Sequence, residues 1–170
     1  LLLLAVPAQA DFGLKDVDVS FEDEDGGAEL RAGAHPFALT TSFDLNTFAE
    51  EGKEFPEGSL RDLAIELPIG IAGIPKGVPQ CSGADFATLI NDLEPYGKII
   101  DIPSCPDESA IGYASISATF SPFAISGQEQ SGVALYNLEP APGTVAKFGF
   151  VFLKVPVTVE VKLSEEAPYR

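Results

Sequence analysis

The chain of 170 residues carries 26 acidic and 10 basic side chains, a formal net charge of −16. A nucleic acid or an anionic membrane repels such a surface unless the cations cluster, and Lys15, Arg31, Lys53, Arg61, Lys76, Lys98, Lys147, Lys154, Lys162 and Arg170 are spread along the chain. With 45% apolar residues, 12 of them Phe, it is not an acidic disordered tail, and one domain of ordinary size is expected.

Residues Leu1 to Ala10 form an apolar run ending in Ala8-Gln9-Ala10, the small-x-small pattern that signal peptidase cleaves. This segment is expected to be the C-terminal part of a truncated signal peptide, which makes Asp11 the first mature residue and 11–170 the folded domain. Its alternatives are a buried strand or the end of a membrane anchor, although ten residues are too few to span a bilayer. No later stretch reaches eighteen apolar residues, so no membrane span is expected in the mature chain. Residues 14–21 make a short strand candidate with Val17 and Val19 alternating. Glu22-Asp23-Glu24-Asp25-Gly26 then sets four carboxylates before a glycine turn.

Hard oxygen ligands on a flexible turn suit Ca²⁺, so Glu22, Asp23, Glu24 and Asp25 are candidate calcium ligands, with Asp16 and Asp18 upstream. The spacing is not that of an EF-hand: counted from Asp16, Phe21 stands at the glycine position and Gly27 at the final glutamate position. The alternative is a solvated hairpin tip.

Phe37, Leu39, Thr41, Phe43 and Leu45 share one face at period two, which predicts a half-buried strand, and Leu63, Ile65 and Leu67 predict a second that ends at Pro68. Cys81 and Cys105 follow. In an oxidising compartment an even cysteine count with no other ligand set predicts one disulfide, whose alternative is two buried thiols. Two Cys and the single His35 are too few for a zinc site. Between the cysteines, Ser82 and Asp85 have capping-box spacing, and Phe86, Leu89, Ile90 and Leu93 continue as one helical stripe until Pro95 and Gly97.

Further strands are predicted at Ala114, Ile116, Ala118 and Phe120; over residues 133–138; at Ala146, Phe148, Phe150 and Phe152; and at Val155, Val157, Val159, Val161 and Leu163. Pro156 lacks an N–H, so it belongs at a strand start, a bulge or an edge. The chain stops at Arg170 just after this patterned strand, and further sequence is expected beyond it. Alternating strands separated by frequent Gly and Pro turns specify a mostly β fold: an antiparallel β-sandwich with one short helix between the two cysteines. A closed barrel is the second architecture.

Most catalytic chemistries lack their residues. His35 is the only imidazole base and no serine stands in a G-x-S-x-G elbow. Neither a P-loop, a G-x-G-x-x-G turn nor an H-E-x-x-H helix occurs. Paired carboxylates are too abundant here to be a signal. Carbohydrate binding favours exposed aromatic platforms, and with no Trp the candidates are Tyr113 and Tyr136, beside Asn137 as a hydrogen-bonding neighbour.

Gly33-Ala34-His35-Pro36-Phe37, then Leu67-Pro68-Ile69-Gly70 leading to Cys81, then Cys105-Pro106-Asp107 with Tyr136-Asn137-Leu138-Glu139-Pro140 downstream, resemble a family of large secreted actinobacterial proteins with an N-terminal β-rich region. The likeness covers most of 33–150, and the chain departs from it in a longer inter-cysteine segment. The resemblance implies an extracellular or cell-surface β-module with further domains after Arg170 and no known catalytic residues to carry across; the expected partners are other extracellular domains of the same polypeptide, a cell-surface protein or a polysaccharide. The expected function is therefore non-catalytic, structural or adhesive; the contrary class is a carbohydrate-binding or carbohydrate-active extracellular β-domain.

Overall fold

The computed structural model describes residues 13–50, 52–65, 77–93, 99–118 and 128–163. The fold is mostly β, every named strand pair is antiparallel, and the one α-helix among the described residues is short and lies between the two cysteines, as the sequence predicts. Composition argues for one domain. The described residues gather into two compact units, those up to Leu63 in the first and the later ones in the second.

In the first unit β1 (Leu14–Glu22) pairs with β2 (Ala38–Leu45). Opposed residues point to the same side of a sheet, so the pairs Val19↔Thr41 and Phe21↔Leu39 give the ribbon an apolar face, while Asp18↔Ser42 and Ser20↔Thr40 give it a polar one. The register slips between Lys15 and Asp18, where Asp16 adopts a φ of 52°. Aspartate tolerates this left-handed conformation better than most side chains, and the extra residue re-aims the strand. Asn46 joins the ribbon to a second hairpin: its N–H donates to the Gly13 carbonyl and its carbonyl accepts from the Glu57 N–H. That hairpin, β3 (Thr47–Glu50) with β4 (Lys53–Pro56), turns at Gly52 with φ of 76° and opposes Phe48 to Phe55, ring centroids 5.8 Å apart. Phe55 is buried.

The period-two strand expected at Leu63 to Leu67 does not form over its described part. Residues 59–65 are irregular, with Leu63 and Ile65 exposed, and Glu66 and Leu67 lie outside the described residues. Three alternating residues flanked by Arg61 and Asp62 supply little apolar area to hold a strand without a neighbour to pair with.

The second unit is built on a four-stranded sheet in the order β10-β9-β8-β7, from β7 (Ala110–Ala118), β8 (Gln128–Leu138), β9 (Ala146–Phe152) and β10 (Val155–Val161). β10 occupies one edge, where the missing N–H of Pro156 breaks no ladder, as expected for a proline in this strand. Helix α1 (Gly83–Ala87) and the hairpin β5 (Leu89–Leu93) with β6 (Ile99–Pro103) form a second layer against this sheet, with β6 close to β9. Within this unit the packing is sandwich-like. The core joins Cys81, Phe86, Tyr136, Leu138 and Val151, with Leu89, Cys105 and Ala134 packed around them.

The helix is shorter than its apolar spacing predicts. Ser82 is the N-cap as expected, its hydroxyl accepting from the Asp85 N–H at 3.1 Å and donating to the Asp85 carboxylate at 2.7 Å. Thr88 then turns extended at ψ of 108°, its hydroxyl satisfying the Ala84 carbonyl at 2.9 Å, and Leu89 to Leu93 run as β5. The facing sequence Ile99-Ile100-Asp101-Ile102-Pro103 is rich in β-branched residues, and pairing with it outweighs the weak helical preference of Thr88 and Ile90.

A two-residue turn, Leu153-Lys154, connects β9 to β10, with φ of 48° and 68°. Hairpin turns of this hand favour Asn-Gly because side chains crowd the backbone there. Lys154 pairs with Asp101 of β6 at 3.1 Å, which ties the strained turn to the neighbouring hairpin. Replacing Leu153 by Asn, which keeps the ion pair, is expected to raise stability by about 1 kcal/mol. An unchanged urea midpoint for Leu153→Asn would show that the turn carries no strain.

Candidate functional site

The sequence singles out three places, and the structure treats each differently. Cys81 and Cys105 are bonded, with Cα atoms 5.3 Å apart and Cys81 fully buried. Cys81 is held before it reaches the disulfide. Its N–H donates to the Asn137 carbonyl at 2.8 Å and its carbonyl accepts from the Glu139 N–H at 3.0 Å, a parallel bridge that lays residues 78–81 beside the end of β8. Cys105 leads into a 3-10 turn, Asp107–Ser109, closed by the Ser109 N–H and hydroxyl on the Pro106 carbonyl, with Ser109 fully buried. The bond therefore clamps both ends of the α1–β5–β6 layer to the sheet.

Tyr136 and Asn137 do not form a sugar platform with Tyr113. Tyr136 points into the core at 6% exposure. Asn137 is 1% exposed, and its amide nitrogen donates to the carbonyls of Val78 and Pro79 at 3.1 and 3.3 Å. It acts as a side-chain splint that fixes the approach to Cys81, a role that the Tyr-Asn pair in the sequence does not announce. Tyr113 alone is presented to solvent, at 76% exposure on the sheet-edge strand β7. Since strand neighbours alternate sides, Tyr136 and Asn137 serve opposite faces, and burial of both removes them from any ligand that arrives from water.

The acidic run forms the turn after β1. Asp23 uses its carboxylate locally: Oδ1 accepts from the N–H groups of Asp25 at 3.0 Å and Gly27 at 2.8 Å, while its carbonyl accepts from Gly26, whose φ is 80°. This is the side-chain-to-backbone bonding that makes aspartate a turn residue. Glu22 accepts from the Ser20 hydroxyl at 3.1 Å, and Glu24 and Asp25 are exposed. Among the described residues no three His, Cys, Asp or Glu side chains converge as a metal site. Calcium at millimolar concentration is expected to leave the melting temperature unchanged, which calorimetry checks; a rise in the presence of the ion would show that the folded chain binds it.

An open cleft lies beside the turn, lined by Asp23, Glu24, Asp25, Glu29, Arg31, His35, Pro36 and Phe37. Arg31 grips Glu29 through both guanidinium edges, with Nε donating to Oε1 at 2.9 Å and Nη2 to Oε2. The Arg31 side chain, assisted by its own N–H, holds the Glu29 carboxyl down at about 2. That pair is self-neutralising, so the cleft keeps the negative sign of the turn. His35 and Phe37 stand exposed along it, and Ser, Thr and Cys are absent from its described lining. His35 lies in the irregular segment between β1 and β2, directly before Pro36.

No protein family, curated protein or solved structure matches this chain. Among the described residues no helix is long and apolar enough to cross a membrane.

Proposed function

We propose that this chain is a secreted, non-catalytic β-module with a structural or adhesive role at the cell surface, of the kind carried by the large secreted actinobacterial proteins it resembles. The observation that carries this reading is the Cys81–Cys105 disulfide, which closes a complete layer of the second unit. Disulfides persist in oxidising compartments and are rare in the reducing cytosol. The apolar run ending in Ala8-Gln9-Ala10 agrees with export, and the net charge of −16 favours a partner other than a polyanion. The exposed setting of His35 also supports a binding rather than a catalytic module.

One observation favours the second reading, carbohydrate binding: the exposed ring of Tyr113, which offers a face for a sugar to stack on. Titrating the protein with cell-wall polysaccharides, alongside the Tyr113→Ala variant and envelope protein fractions, separates the two. The structural reading expects retention on envelope fractions that is indifferent to Tyr113, with the two thiols unreactive to alkylation in exported material. Saturable polysaccharide binding that disappears in Tyr113→Ala establishes the carbohydrate reading instead. Free thiols in the exported protein overturn the first.

A further inference from the structure

No further inference is drawn: the strongest candidate, the apolar face that Phe148, Phe150 and Phe152 of β9 share with Val155, Val157 and Val159 of β10, is a sheet surface for which nothing in the structure shows what covers it.

Discussion

Gly149→Ala is expected to lower stability by about 1–3 kcal/mol, the range for a methyl forced into a well-packed core. A Cβ at this position lies 2.6 Å from Cζ of Phe86 and 2.7 Å from Cδ1 of Leu138, both inside carbon contact distance. Neither neighbour has room to retreat, because Phe86 is 5% and Leu138 2% exposed. A competing effect has the opposite sign: alanine restricts the unfolded chain and stabilises by roughly 0.4–1 kcal/mol where the native backbone accepts it. Gly149 lies in a regular strand, so this gain applies in full. The clash is larger and decides the sign. A fall in melting temperature of several degrees is expected for a chain of this size. Phe86→Leu, which shortens the offending ring, is expected to cost stability alone but to cost less in the Gly149→Ala background, with a coupling on the order of 1 kcal/mol. Strict additivity in that double-mutant cycle would show that the helix does not seat against β9 at Gly149.

The same contact shows where the sequence is readable and where it is not. Period-two alternation locates β2, β7, β9 and β10 because side chains on a strand must choose a side, and the pattern records that choice. It does not say which side receives the cover. In β9 the aromatic set Phe148, Phe150 and Phe152 is only half-buried, whereas Val151, from the other face, is in the core and Gly149 supplies the gap that Phe86 fills. An isolated glycine in an apolar strand is the signal for such close approach, and it is present between Phe148 and Phe150. Helical spacing misleads between the cysteines for a related reason. Phe86, Leu89 and Ile90 fit a helix stripe, yet the partner strand that turns Leu89 to Leu93 into β5 is ten residues downstream, beyond the reach of a local pattern. The hairpin of β3 and β4 escapes notice because four-residue strands laden with Glu50, Lys53 and Glu54 offer only the pair Phe48 and Phe55 as evidence. As for the candidate site, the disulfide is legible from cysteine count and compartment. The burial of Tyr136 and Asn137 is not, since a polar amide in the core is specified by the carbonyls of Val78 and Pro79, some 58 positions away.

Removing the disulfide by Cys81→Ala with Cys105→Ala is expected to cost about 3 kcal/mol or more. Tying positions 24 apart removes loop-closure entropy from the unfolded chain worth roughly 3 kcal/mol in the chain-entropy account. Loss of the fully buried Cys81 sulfur adds a packing defect in the core cluster. The loss should not spread evenly. The α1–β5–β6 layer keeps its noncovalent anchors, Phe86 over Gly149 and the Cys81 backbone bonds to Asn137 and Glu139, whereas β9 is supported on both sides by β8 and β10. Amide exchange in residues 83–93 and 99–103 is therefore expected to accelerate well before exchange in β9, because local opening of a layer costs less than opening the sheet beneath it. Exposed sites supply an internal reference: the ion-paired turn at Glu29 and Arg31 belongs to the other compact unit and should exchange at the same rate with and without the sulfur link. Equal acceleration across both units would mean that the bond stabilises the chain only through its unfolded state. No loss of melting temperature would mean that the clamp contributes nothing to the stability of the layer it closes.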